Sequence, residues 1–299
     1  MPTNNILKKI IIGTWSWSAY KSVSKKSIEN VFDHCLDNGF LEFDTAPNYL
    51  GAEKILSEFK RQNKNILINT KCGWDHHMKK NFDEKSLIYG IERALDLFKN
   101  INVMQLHNPR DEVENWNKVF NILQKYKDKG YIKSIGISLA RNHYFSKKIM
   151  NKFDFIQDEF NLLRVAPCHK MNNFKKILAI RSPFANGILT TNFSNIARFS
   201  KNDQRYSWLY GRRLKTISKQ KKILESLTDL KIESLATNFV FSFSFVDKAI
   251  FGIRTIKHMN DLLKNIKNFK KLTPTLVKKI IELNTKDNLF CKNTYRYNN

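Results

Sequence analysis

The chain has 299 residues, with 52 lysines and arginines against 27 aspartates and glutamates, so its formal net charge is +25. Its lysines are scattered over nearly every predicted helix instead of collecting in one arm, which argues against nucleic-acid binding. A solvated basic surface is the favoured interpretation, and the steering of anionic ligands is the alternative. No run approaches the ~18 apolar residues that a membrane span needs.

Apolar runs rich in Ile, Val and Phe recur along the chain and are predicted as strands, with helical patterns between most of them. The runs lie near residues 9–15, 40–44, 66–71, 101–107, 132–138, 153–157, 177–182 and 248–253. The clearest helical patterns cover 27–38, 84–98, 113–129 and a long stretch over 214–245. Eight strand and helix pairs predict an α/β fold, a (β/α)8 TIM barrel, whose active site lies on the loops after the strands.

No linker divides the chain, so residues 1–299 are predicted to form a single barrel domain. The first five residues lack a signal pattern and are expected to lead straight into the first strand, which favours a cytoplasmic protein. The last segment, 285–299, is polar and aromatic without periodicity, and it is predicted to be a docked loop or a frayed tail.

The four cysteines, Cys35, Cys72, Cys168 and Cys291, have neither disulfide-framework nor metal-site spacing. Cys72 is interpreted as a small apolar filler of its strand, and a thiol activated by the neighbouring lysine is the alternative. The adjacent histidines at 76 and 77 lack a third ligand, so no metal is expected.

Polar residues that suit proton donation follow three neighbouring predicted strands. Asp44 and Tyr49 follow the second strand, Lys71 closes the third and His107 closes the fourth. An ammonium beside a phenol lowers the phenol pKa from about 10, and a carboxylate keeps a buried ammonium charged. His107 is suited to hydrogen-bond the same substrate oxygen as the phenol. The set predicts carbonyl reduction.

These segments resemble the aldo-keto reductase family, whose members use an Asp, Tyr, Lys and His tetrad in this order. The resemblance rests on Asp-Thr-Ala-x-x-Tyr followed by Glu53, on Thr-Lys after the third strand and on Leu-His-Asn-Pro after the fourth. Three later segments are also similar, namely 130–138, Gln157 with Asn161, and 182–187. The resemblance covers roughly residues 8–267 and implies that Tyr49 donates the proton.

The resemblance also implies a nicotinamide cofactor, since members bind one across the barrel mouth, usually NADPH, with NADH as the alternative. No Gly-x-Gly-x-x-Gly fingerprint supports another dinucleotide site. The cofactor residues implied by position are Gly13, Thr14, Ser138, Gln157, Arg181, Ser182, Phe184, Gly252, Arg254, Lys257 and His258. Arg181 stands where members have a ring-stacking tyrosine, and Arg254 and Lys257 suit a 2′-phosphate at a helix start.

Two further positions depart from the family pattern. Leu139 replaces a frequent asparagine that binds the carboxamide, and Leu262 replaces a frequent adenine-binding asparagine, with Asn265 one turn further on. Asp203 and Arg205 resemble a family motif that either braces a loop over the pyrophosphate or contacts it. The replacements at Leu139 and Leu262 bear on the affinity for the cofactor.

The substrate pocket is predicted to include Trp15, Trp17, Trp74 and Asn108, although aromatic residues at strand ends are as often core lids. Aldehydes, ketones and aldoses all stay open as substrates, as does reversal to an alcohol or sugar dehydrogenase. A nucleotide-sensing regulatory protein on the same barrel, like the potassium-channel β-subunits, is the alternative function. The sequence carries no signal for oligomeric state.

Overall fold

In a computed structural model, which describes residues 2–18, 23–49, 51–141, 143–165, 176–193, 199–201 and 203–286, parallel strands close into a barrel in chain order. Each strand pairs with the next, and the last pairs with the first through Ile10–Ala249 to Gly13–Gly252. The strands are β1 (Ile10–Gly13), β2 (Glu42–Asp44), β3 (Leu67–Cys72), β4 (Ile101–His107), β5 (Ile132–Ser138), β6 (Phe155–Glu159), β7 (Ile177–Arg181) and β8 (Lys248–Gly252). The predicted (β/α)8 barrel is confirmed.

Among the described residues, helices lie between most successive strands. They are α1 (Pro2–Leu7), α2 (Trp15–Ser18), α3 (Lys25–Asp37), α4 (Ala52–Gln62), α5 (Glu84–Phe98), α6 (Trp116–Asp128), α7 (Lys147–Met150), α8 (Gly211–Glu225), α9 (Ile232–Phe241), α10 (Ile256–Lys267) and α11 (Pro274–Lys286). Among the described helices, none combines the length and the apolarity needed to cross a bilayer.

Side-chain caps fix where the long helices begin. The carboxylate of Asp83 accepts from the backbone N–H of Ser86 and starts α5 at the predicted residue. Helix α6 begins three residues later than predicted, because the Asn115 side chain accepts from the N–H of Lys118. Each of these helices then buries one apolar face against the barrel.

The stretch of helical pattern predicted over 214–245 folds as two helices, α8 and α9, with a break at 226–231. In the break, the Ser226 hydroxyl donates to the carbonyl of Ile223 and the N–H of Leu230 donates to Thr228. Such local side-chain bonds offer the backbone an alternative to continued helix. The N-terminal expectation is wrong, since α1 precedes β1.

Apolar side chains inside the barrel separate its two ends. Ile11, Val103, Phe155, Ala179 and Ile250 form this inner cluster, while a larger core lies between the strands and the helices. The four residues of the predicted tetrad lie at or just after the carboxyl ends of the strands, where active sites of (β/α)8 barrels are found. Residues 287–299 of the predicted tail lie outside the described part of the chain, and 285–286 belong to α11.

The two cysteines that the structure describes, Cys35 and Cys72, are buried. Burial raises the pKa of both thiols, Cys35 and Cys72, to about 12. Cys72 packs against the backbone of α5, where a Cβ placed on Gly90 would lie 3.1 Å from the cysteine Cβ. The apolar-filler interpretation of Cys72 is confirmed, whereas Cys168 and Cys291 fall outside the described residues.

Candidate active site

The predicted acid and its partners meet at the carboxyl ends of β2, β3 and β4. The Lys71 ammonium donates to Oδ1 of Asp44 at 2.7 Å and to the carbonyl of Thr45 at 2.7 Å. Its Nζ lies 5.1 Å from the centre of the Tyr49 ring, and the ring of His107 stands edge-on to that tyrosine at 6.2 Å. All four members of the predicted tetrad therefore share one site.

Asp44 is held from three directions. Besides the ammonium at Oδ1, its Oδ2 accepts from the side-chain amides of Gln105 at 3.0 Å and Gln157 at 2.9 Å. The Oε1 of Gln157 in turn accepts from the Ser138 hydroxyl at 2.9 Å. The carboxylate that balances Lys71 is thus fixed by strands β4, β5 and β6.

The pKa of Tyr49 moves against the expectation from sequence. Burial raises the pKa of this half-buried phenol above its ordinary value of 10.0, and the charges of Lys71 and Arg181 lower it only in part. Burial also disfavours the charged form of Lys71, yet Asp44 and Tyr49 together raise the pKa of that ammonium above 10.5. The expected lowering of the phenol pKa below 10 is therefore wrong, because desolvation outweighs the neighbouring ammonium.

His107 is neutral in this environment. Burial lowers the pKa of its imidazole well below 6.5, and the cationic side chains of Lys71, Arg181 and Lys80 lower it further. Its Nδ1 lies 2.9 Å from the indole nitrogen of Trp74, which is a donor. A neutral imidazole can offer one N–H to a ligand without adding charge to the site.

A cavity of about 1240 Å³ opens at the mouth of the barrel. Asp44, Tyr49 and His107 line its catalytic end, and the start of α10 lines another part of its wall. Many of the residues predicted to bind cofactor or substrate also line it, namely Gly13, Trp15, Asn108, Ser138, Gln157, Arg181, Ser182, Phe184, Gly252, Arg254, Lys257 and His258.

Three of the residues predicted to bind cofactor or substrate do not line the cavity. Thr14 is fully buried, and its hydroxyl donates to the carbonyl of Asp44 at 3.1 Å. Trp17 is 1% exposed because α2 turns it into the core, where it packs edge-on against Phe43 and donates to the carbonyl of Ile253. Trp74 is not among the lining residues, and its indole nitrogen lies 2.9 Å from Nδ1 of His107. The assignments of Thr14 to the cofactor site and of Trp17 to the substrate pocket are corrected accordingly, whereas that of Trp74 stays a prediction.

The start of α10 has the donor chemistry of a phosphate site. Thr255 caps the helix by accepting from the N–H of His258, and Arg254 and Lys257 flank this cap. Burial, and then the charge of Arg254, lowers the pKa of His258 below 6.5. Helix N-terminal N–H groups with nearby cations bind phosphate. Leu262, which replaces the frequent adenine-binding asparagine, is 1% exposed and packs in the core.

Arg205 braces the loop after β7. Its guanidinium pairs with Asp203 at 2.7 Å, donates to the carbonyl of Asn186 at 3.2 Å and lies 4.3 Å from the centre of the Phe199 ring. The bracing interpretation of the Asp-x-Arg motif accounts for these contacts, and Arg205 also lines the cavity.

A network of charged residues at the ends of β6 and β7 was missed from the sequence. Arg141 pairs with the buried Glu159 at 2.6 Å, while the Arg181 guanidinium lies 3.9 Å from Asp158 and donates to the carbonyl of Leu139. Burial alone would raise the pKa of Glu159, but Arg141, then Arg181 and Arg164, lower it to about 2. The signal was the adjacent acidic pair at a strand end, together with arginines after three successive strands.

Comparison with protein-family models decides the family. The model described as Aldo/keto reductase family matches residues 9–285. The chain belongs to this family. Its members are oxidoreductases that act on small carbonyl or sugar substrates and generally use NAD(P)H. Among curated proteins, no sequence matches this chain significantly.

Solved structures of other members share the barrel of this chain. A glycerol dehydrogenase from Gluconobacter oxydans superposes with a TM-score of 0.76 at 18% identity, covering 97% of this chain and 94% of that one. An aldo-keto reductase from Bacillus halodurans in its holo form gives a TM-score of 0.74 at 16% identity, covering 96% and 94%. At 18% and 16% identity, the similarity concerns the fold alone.

Proposed function

We propose that this chain transfers hydride between NADPH and an aldehyde or ketone, with Tyr49 as the proton donor. The observation that carries the proposal is the buried contact of Lys71 with Asp44, beside Tyr49, at a cavity wall that also includes a helix start of phosphate-binding chemistry. Family membership supports the reaction class.

Bound NADPH would supply the hydride to the carbonyl carbon. The Tyr49 phenol gives its proton to the carbonyl oxygen, which completes the alcohol, and the phenolate that results is stabilised by the Lys71 ammonium. Asp44 keeps this ammonium charged and in place. Neutral His107 donates a hydrogen bond to the same oxygen as negative charge develops on it. The phenol then regains its proton from solvent.

The residues present fit the cofactor at its two ends. At the helix start, Arg254, Lys257 and the first amides of α10 would hold a 2′-phosphate, which favours NADPH over NADH. In the barrel mouth, Ser138 and Gln157 line the cavity beside Asp44 and would contact the nicotinamide end. The buried side chain of Leu139 contributes no polar group there.

The wall around the catalytic end favours a small, polar carbonyl compound. Trp15 is accompanied there by Asn48, Asn108, Arg110 and the ion pair of Lys80 with Glu112, all of which line the cavity. Long apolar ketones would desolvate these groups without pairing them, which costs free energy. We therefore propose hydroxylated or anionic aldehydes and sugars as the substrate class.

The test combines binding with turnover. Tryptophan quenching would measure the Kd for NADPH and NADH, and a panel of polar and apolar aldehydes would measure kcat. Tyr49→Phe should retain NADPH binding and lose about 100-fold or more in kcat, because general acid catalysis contributes that much. Tyr131→Phe, at an exposed position, is the matched control.

Full turnover by Tyr49→Phe would show that another group donates the proton. Tight NADPH binding by the unaltered chain, without turnover of any carbonyl in the panel, would instead favour the nucleotide-sensing alternative.

A further inference from the structure

An unusual turn after β3 places Trp74 next to the catalytic site. Gly73, directly after β3, has φ +101°, and a Cβ at this position would collide with the ring of Phe82. The chain then pairs Trp74 with Lys80 in an isolated antiparallel bridge. As a result the indole stands edge-on to His107, with 5.6 Å between ring centres and 67° between planes.

The hydrogen bond between these rings has only one polarity. The indole nitrogen can donate but cannot accept, so Nδ1 of His107, 2.9 Å away, must be the acceptor. A ring nitrogen that accepts carries no proton. In a neutral imidazole the single ring proton then resides on Nε2.

We propose that Trp74 is a positioning residue that fixes His107 in its Nε2–H tautomer, so that the imidazole presents a donor to the substrate oxygen. This inference rests on the proposed function for its kinetic consequence. His107 is among the residues that line the cavity and Trp74 is not, so the indole acts through the histidine to which it donates.

The tautomer matters because the alternative form would oppose the reaction. With the proton on Nδ1, the Nε2 lone pair would face the carbonyl oxygen, and two acceptors would repel each other as negative charge develops on that oxygen. Protonating both nitrogens would avoid this, but burial and three nearby cations disfavour that form. The indole donor is the contact that separates the two neutral forms.

The direct test is nitrogen-15 NMR of the histidine side chains, with His107→Gln used to assign the signals of His107. In the unaltered chain, the spectrum should show an unprotonated Nδ1 and a protonated Nε2. In Trp74→Phe, which keeps an aromatic ring but removes the donor, both nitrogens should move toward the averaged shifts of a mixed population. An unchanged His107 spectrum in Trp74→Phe would overturn the proposal.

The kinetic test separates positioning from general damage to the fold. Trp74→Phe should lower kcat about tenfold, as expected for loss of one hydrogen bond, with a smaller effect on KM. In a His107→Gln background the same change should have almost no further effect. An equal loss in both backgrounds would indicate a structural role and would overturn the proposal.

Trp116→Phe is the matched control, since Trp116 packs against Phe120 and Phe145 on the outside of the barrel. It should leave both the spectrum of His107 and kcat unchanged. The spectrum also distinguishes the two proposals: a tautomer shift in Trp74→Phe, in a chain that turns over no carbonyl, would support the role of the indole and reject the proposed function.

Discussion

Lys71 and Asp44 form a 2.7 Å ion pair in which the lysine side chain is 0% exposed and the aspartate side chain 4% exposed. An ammonium at such depth loses its hydration, and only a close carboxylate and further acceptors can offset that loss. Asp44 supplies the charge and Thr45 a carbonyl. The pair therefore serves the fold and the chemistry together, since the charge that it protects also acts on Tyr49.

Asp44→Asn should destabilise the chain strongly. Removing one partner of a buried pair leaves an uncompensated charge, and we expect the free energy of unfolding to fall by about 3–5 kcal/mol. Urea denaturation followed by circular dichroism measures this change. Glu58→Gln is the control, because Glu58 pairs with Lys25 at the same distance of 2.7 Å but at the solvent-exposed surface. The free energy of unfolding of Glu58→Gln should be close to that of the unaltered chain. An equal fall in the free energy of unfolding for Asp44→Asn and Glu58→Gln would contradict the argument that burial makes the loss of a partner more costly.

The pH profile of carbonyl reduction should be flat through neutrality. A proton donor must be protonated, and burial raises the pKa of Tyr49 above 10.0, so the rate should fall only as pH rises above about 10. His107 titrates well below 6.5, so no inflection is expected near that pH. Stopped-flow measurement of NADPH oxidation between pH 5.5 and 10.5 checks both limbs. A limb near pH 6.5 that disappears in His107→Gln would contradict a neutral histidine.

The sequence predicted the barrel well because its strands are continuous apolar runs buried on both faces, as parallel strands require. The predicted ranges 101–107 and 132–138 coincide with β4 and β5. Asp44, Tyr49, Lys71 and His107 could be placed together because each follows or closes a strand, and strand ends converge in a closed parallel barrel.

The position of a residue relative to a strand end did not predict the direction of its side chain or the balance of electrostatic effects on its pKa. Trp15 and Trp17 are two residues apart, yet one lines the cavity and the other packs in the core, because a short helix follows β1. The net pKa shift of Tyr49 depends on how far burial exceeds the influence of Lys71, which spacing does not reveal. The contact of Trp74 with His107 needs the turn at Gly73.

Arg254→Gln should reduce the preference for NADPH. Arg254 stands before the cap of α10, and the proposed 2′-phosphate contact is a charge-assisted one, so we expect the Kd for NADPH to rise about tenfold or more while that for NADH changes little. Fluorescence titration with both nucleotides measures the ratio. Lys264→Gln, an exposed cation in the last turn of the same helix, is the control for net charge. A parallel loss of affinity for both nucleotides would place Arg254 elsewhere on the cofactor.

Glu159 should make the stability of the chain depend on acid. Its pKa lies at about 2 in the folded chain against 4.5 for the free side chain, so it binds a proton more weakly when folded. The stabilisation is therefore complete above about pH 4.5 and is lost as pH falls toward 2. A shift of this size corresponds to ~3 kcal/mol.

The same linkage predicts how a variant of Glu159 behaves. Glu159→Gln leaves Arg141 without its buried carboxylate and should be less stable than the unaltered chain at pH 7, whereas the difference should shrink as pH falls from 4.5 toward 2. Urea denaturation at several pH values measures the difference, with the exposed Glu114→Gln as the control. A difference that stays constant from pH 7 to 2.5 would mean that the arginines around Glu159 do not hold it in its charged form, and the network at the ends of β6 and β7 would then stabilise the chain through packing alone.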